Sequence, residues 1–158
     1  MLAIQQRRIM QIGYVVRDLE KSAIEYSRRL GIGPWEVYTT SPPDLRDAVY
    51  RGKPIDHEFL IALAWNQTTQ LELIQPVRGT NIYTEFLERH GDGLHHVKEC
   101  VGDCQKALEE FKSRGVEVLQ SGKYDEDEHY YLDTEAAFGF VYEIGNNGKI
   151  RPPERLLG

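Results

Sequence analysis

The chain has 158 residues, 41% of them hydrophobic and 28% charged, with a formal charge of −6 and two cysteines. That length suits one ordinary domain or two small modules sharing a core, and the composition is globular rather than disordered. The acidic balance excludes a nucleic-acid or anionic-membrane surface as the expected partner. No apolar run reaches the ~18 residues that span a bilayer.

"MLAIQQRRIM" lacks the apolar core of a secretory leader, so a cytoplasmic protein is expected. The densest basic patches, "QQRRIM" and "KIRPPER", read as solubilising ends. Cys100 and Cys104 are too close to close a useful loop and match no zinc pattern. Cys104 opens a helix, where thiols tend to acidify, but two small side chains in a reduced compartment is the simpler reading.

In chain order, "QIGYVV" alternates as a strand and "DLEKSAIEYSRRLG" follows as a helix. Asp18 caps its start, Leu19, Ala23, Tyr26 and Leu30 share one face, and Gly31 ends it. Three further strand candidates follow: "WEVYTT", "HEFLIALAW" and "TQLELIQP". Trp35 reads as a packing anchor after the helix. The polar stretch Thr39–Asp56 reads as a long loop that could bring Tyr50, Arg51 and Lys53 to an anionic substrate group. "GTNIYTEFLERHG" predicts a linking helix over about 80–91.

The second half opens with the strand "GLHHVKECV", then a helix capped by Asp103, with Cys104, Ala107 or Leu108 and Phe111 on one face and Gly115 at its end. "VEVLQ", "EHYYLDT" and "GFVYEIG" are its later strands, with Gln120–Glu128 read as a loop. "NNGKIRPPERLLG" reads as an extended C-terminal arm.

The two halves repeat. "QIGYVVRDLEKSAIEYSRRLG" lies over "HVKECVGDCQKALEEFKSRGV", placing Asp18 on Asp103, Lys21 on Lys106, Glu25 on Glu110 and Tyr26 on Phe111. Each half reads β-α-β-β-β, giving module one at about 8–77 and module two at about 93–146. The expected fold is therefore α+β, with paired βαβββ modules forming a curved mixed sheet around a central cavity. One such unit cannot cover both faces of its own sheet, so two must pair.

The repeat also ties together four polar positions. Gln11 and His96 share one place on the first strands, and Glu72 and Glu143 share one place on the last. A carboxylate on a buried strand costs several kcal/mol unless it is paired. A divalent cation would answer that cost in both halves at once. Alternation allows only one of His95 and His96 to face the cavity, and the repeat selects His96. His57, His90 and His129 have no counterpart and read as ordinary; the register of Glu58 stays open.

"IGYVVRDLEKS", "LGIGPW" and "LELIQPVRGTNIYTEFLERHGDGLHHV" resemble the vicinal oxygen chelate superfamily, which holds glyoxalase I, methylmalonyl-CoA epimerase, extradiol dioxygenases and bleomycin-resistance proteins. The resemblance spans Ile9 to Asn146 and is nearest the epimerase and glyoxalase-like branch. It implies a divalent metal (cobalt, manganese, nickel, zinc or magnesium) held by Gln11, Glu72, His96 and Glu143. Gln11 stands where those relatives typically carry histidine; its neutral oxygen disfavours zinc and an extradiol iron site.

The implied activity is an epimerase or isomerase working through an enolate, on a 2-substituted acyl-CoA or a similar small molecule, with Glu143 and Glu72 as proton-transfer groups. A glyoxalase I-like lyase and a metal-free binding or resistance protein are the alternatives. A homodimer is the implied assembly.

Overall fold

The computed structural model of the chain describes residues 8–158; residues 1–7, which carry most of the leader and first basic-patch readings, lie outside them. The first half runs β1 (Ile9–Val15), α1 (Leu19–Leu30), β2 (Trp35–Thr40), β3 (Leu45–Tyr50), β4 (Lys53–Pro54), β5 (Glu58–Asn66) and β6 (Thr69–Arg78). After α2 (Ile82–His90) come β7 (Gly93–Cys100), α3 (Cys104–Ser113), β8 (Val118–Tyr124), β9 (Asp127–Leu132), α4 (Glu135–Phe138), β10 (Val141–Gly145) and β11 (Arg155–Leu157). Among these residues no helix is long and apolar enough to cross a membrane.

Matching local signals make the two outer helices. The Asp18 carboxylate accepts from the Lys21 N–H at 3.0 Å, and Asp103 accepts from Lys106 N–H at 3.0 Å. Gly31 then ends α1 at φ 67°, a left-handed conformation that only glycine adopts without steric cost. The apolar stripe of α1 is shorter than its pattern suggests: Leu19 and Ala23 are buried, but Leu30 is exposed. On α3 only Cys104 is fully buried, and burial pushes its thiol up to about 11, so it is not an activated nucleophile.

The strands form one open sheet in the order β11-β2-β5-β6-β1-β7-β10-β9-β8-β3-β4. At its centre β1 and β7 run antiparallel, with Gly13 opposite His96 and Gln11 opposite Lys98. A twofold axis between these pairs carries Gln11 onto His96 and Gly13 onto Lys98. Parallel neighbours extend the relation: β6 sets Glu72 beside Gly13, and β10 sets Glu143 beside Lys98. The same axis therefore carries Glu72 onto Glu143.

Period-two alternation sorts the side chains between two cores. Leu71, Leu73, Ala62 and Ala64 pack outward under α1 with Trp35, while Phe59, Ile61, Leu63 and Ile74 face inward with Tyr83 and Phe86 of α2. Trp35 is fully buried, as an anchor should be.

The structure departs from the sequence reading in the stretch Thr39–Asp56, which is not a passive loop. It forms β3 and β4, and β3 pairs across the halves with β8, Leu45 lying opposite Tyr124. Asp47 at φ 51° and a register shift between Arg46 and Val49 break the alternation that would have revealed the strand. Gln120–Glu128 is likewise a hairpin of β8 and β9. The C-terminal arm is extended as expected, and its β11 returns to pair with β2. It is held on the way by Arg151, which donates to both Asp125 oxygens and to Asp44.

Candidate metal centre

Gln11, Glu72, His96 and Glu143 converge on the inner face, with relative exposures of 4%, 8%, 0% and 2%. His96 Nε2 lies 3.1 Å from Glu72 Oε2, 3.1 Å from Glu143 Oε2 and 3.3 Å from Gln11 Oε1. Cis ligands around an ion with bonds of about 2.1 Å are separated by roughly 3 Å, so the spacing suits one cation. The Oε2 atoms of both glutamates are buried without an aligned hydrogen-bond donor. Two orphaned carboxylate oxygens, one imidazole and one amide oxygen are therefore a donor set that fits a divalent ion.

Neighbouring groups aim the donors. Gln11 Nε2 donates to Gln70 Oε1 at 2.6 Å, which turns the amide oxygen of Gln11 toward His96. The His96 ring lies across Gly13, where any side chain would overlap it.

Strict alternation would separate His95 from His96, but both rings lie inside. A register shift between Gly13 and Tyr14 bulges β7 and sets two residues opposite one. His95 packs on Tyr83 and Phe86, and its Nδ1 is 3.0 Å from His96 Nδ1. A proton on His96 Nδ1 satisfies that contact and leaves Nε2 as the donor atom. Only His96 reaches the two glutamates.

Electrostatics at the site are strongly coupled. Burial alone would lower the pKa of His96, but the carboxylates of Glu143 and Glu72 outweigh it and push it up to about 9. Burial would raise Glu143, yet Lys98 and His96 hold it below the usual carboxylate range. Lys98 is itself buried, with Nζ 3.3 Å from Glu143 Oε1 and 3.4 Å from Asp127 Oδ1. Burial works against its charge, but those carboxylates raise its pKa.

A cavity of about 170 Å³ opens beside the cluster. Gln11, Glu72 and Lys98 form its polar side; Phe59, Ile61 and Leu63 form its apolar side; Asn147 and Ile150 of the C-terminal arm border it. Lys98, Asp127 and Gln70 join this site without having been singled out in the sequence, and His129, read there as ordinary, also borders the cavity. Parity could have found two of them, since Lys98 stands two residues after His96 and Gln70 two before Glu72. Asp127 falls in the stretch read as a loop, whereas His129 falls in the strand candidate "EHYYLDT".

The expected substrate-binding residues lie elsewhere. The Tyr50 hydroxyl and the Arg51 guanidinium both bond to Glu85 of α2, and Lys53 is exposed in β4. None of the three borders the cavity. His57 is buried against Asn81 and Phe59, and His90 pairs with Glu135, so both have structural partners.

Residues 10–132 match the family described as the glyoxalase/bleomycin resistance protein/dioxygenase superfamily. A comparison of the sequence with curated proteins returns no significant match. Among solved structures, a hypothetical protein from Bacillus halodurans C-125 is similar at TM-score 0.71 and 18% identity, over 93% of this chain and 99% of that one. A methylmalonyl-CoA epimerase in complex with methylmalonyl-CoA and NH4+ gives 0.67 and 18%, over 94% and 100%. The methylmalonyl-CoA epimerase from Mycobacterium tuberculosis gives 0.65 and 20%, over 92% and 91%. At such identities the shared property is the α+β fold.

Proposed function

Because the chain belongs to the glyoxalase/bleomycin resistance protein/dioxygenase superfamily, we propose that it is a metal-dependent epimerase or isomerase acting on a carbon beside a carbonyl group. The observation that carries this reading is the pair of orphaned oxygens of Glu72 and Glu143, each 3.1 Å from His96 Nε2 beside the cavity. Gln11, Glu72, His96 and Glu143 would hold the ion, which supplies Lewis-acid stabilisation of negative charge developing on a substrate oxygen.

The protein's own groups would handle the proton. A carboxylate of the cluster removes it from the carbon, leaving an enolate, and returns it to that carbon or its neighbour. The twofold relation makes Glu72 and Glu143 equivalent, so both are candidates for this step. The apolar wall of Phe59, Ile61 and Leu63 would exclude water from the charge that develops. Similarity in fold to methylmalonyl-CoA epimerases supports a 2-substituted acyl-CoA thioester as the first substrate to try.

The test is exchange of the α-proton of such thioesters with solvent deuterium by metal-loaded protein, followed by NMR. Exchange lost in Glu72→Gln or Glu143→Gln supports the reading; none in the loaded wild type refutes it.

A second reading has one observation in its favour. Lys98 places a cation against Glu143 within the protein itself, which suits a binding protein that needs no metal. Tight ligand binding by protein that retains no divalent ion would favour it. A homodimer belongs to either proposal, and the sheet ends in strands of three and two residues, β11 and β4, the latter containing Pro54. Such short edges offer little backbone for pairing, so a dimer would have to use a face.

A further inference from the structure

The twofold axis makes the ligands equivalent but not their support. One break is at Lys98, which stands where the other half has Gly13. Lys98 is only 6% exposed, and its ammonium bridges Glu143 Oε1 at 3.3 Å and Asp127 Oδ1 at 3.4 Å. Its path is built into the sheet. A Cβ on Gly145 would lie 2.7 Å from Lys98 Cε and 3.1 Å from Nζ, so β10 leaves a gap through which the stem passes. The two oxygens of Glu143 are thereby divided, Oε1 to Lys98 and Oε2 toward His96.

Glu72 has no such tether. Among the described residues no lysine or arginine is in ion-pair contact with it, and it borders the cavity, which Glu143 does not. A ligand gripped through its second oxygen is held in place, whereas an untethered one can leave and meet substrate.

We propose that Lys98 is a positioning residue that fixes Glu143 as a permanent metal ligand, so that the proton step falls to Glu72. This rests on the metal-dependent reading above and removes its ambiguity between the two glutamates. In the step, the substrate C–H bond breaks, its electron pair moves onto the carbonyl oxygen, and an O–H bond forms on Glu72. The reverse transfer returns the proton and regenerates the Glu72 carboxylate.

The test is a pair of double-mutant cycles on Mn2+ affinity, read by electron paramagnetic resonance without any substrate. Lys98→Met is measured in wild type, Glu143→Gln and Glu72→Gln backgrounds. If Lys98 acts through Glu143, its effect on Kd shrinks at least tenfold in the Glu143→Gln background and stays within twofold in the Glu72→Gln background. A charge acting only through space, or a purely structural lysine, would give equal effects in both, and that result overturns the proposal. Lys98→Gln, which keeps a donor for Glu143, is expected to retain the wild-type affinity, and Lys98→Ala carries the cycle if the methionine variant does not fold.

Wild type that binds no Mn2+ overturns the proposal together with the metal-dependent reading. Mn2+ bound with the expected coupling, but no α-proton exchange, sinks only the reaction and the role of Glu72 in it. Exchange that survives in Glu72→Gln and is lost in Glu143→Gln with Mn2+ still bound reverses the assignment of the base.

Discussion

The imidazole of His96 lies across residue 13 so closely that a Cβ on Gly13 would sit 1.9 Å from Cε1 and 2.2 Å from Nε2. The glycine in "QIGY" thus shapes the candidate metal centre although it offers no ligand. Gly13→Ala must push the ring off its position. The expected outcome is at least a tenfold loss of Mn2+ affinity, with a stability cost of about 1–3 kcal/mol for overpacking. Metal titration and urea denaturation check the two effects. Unchanged affinity would mean the ring has room to shift without losing its role.

The same axis bears on Gln11. Its position is equivalent to His96, and the residue facing it is Lys98, where the other half has glycine. An imidazole at position 11 would need the space that Lys98 fills. Gln11→His alone should therefore fail to tighten zinc, whereas Gln11→His with Lys98→Gly should bind zinc at least tenfold more tightly than Gln11→His. Zinc competition against a chromophoric chelator measures both. Tightening by the single substitution would show that the two side chains do not exclude one another.

His57 gives a prediction about acid stability. It is 1% exposed, and burial lowers its pKa from 6.5 to about 4. Between those values the unfolded chain binds more protons at this residue than the folded one does. Its contribution to stability is therefore complete above about pH 6.5 and is lost as pH falls toward 4. Urea midpoints measured across this window should fall less steeply in His57→Gln than in wild type. Parallel slopes would assign the acid sensitivity to other groups.

Arg51 tests the long segment between β2 and β5. Its guanidinium pairs with Glu85 at 2.9 Å while remaining 53% exposed, so the pair should contribute under about 1 kcal/mol. Arg51→Ala is expected to leave metal content intact and turnover within twofold. A tenfold rise in KM with unchanged kcat would bring this segment to the substrate, as its basic residues first suggest.

Much of the site is legible in the sequence because two simple periods carry it. Alternation puts Gln11, Glu72 and Glu143 on one face of their strands, and the repeat equates Gln11 with His96. Neither period reports a bulge. The extra residue in β7 turns His95 inward beside His96, against the expectation from alternation. The pairing of β3 with β8 joins segments 79 residues apart, as Leu45 and Tyr124 show, and irregular backbone at Asp47 hides the strand. Lys98 is the clearest omission. A lysine in an alternating strand reads as solvated, and only the three-dimensional conjunction of Glu143, Asp127 and Gly145 makes it a buried cation. The pairing of Tyr50 and Arg51 with Glu85 is hidden for a related reason, since that partner is supplied by a helix distant in sequence.

The most direct measurement is divalent metal content after dialysis, by elemental mass spectrometry, for wild type, His96→Ala and Glu143→Ala. One ion per chain in wild type, absent from both variants that remain folded by circular dichroism, is the expected result. A wild type that retains none after incubation with cobalt, manganese, nickel, zinc or magnesium would contradict the metal centre. The orphaned oxygens of Glu72 and Glu143 would then have to be explained by a protonated His96 alone, with Lys98 on the other oxygen of Glu143.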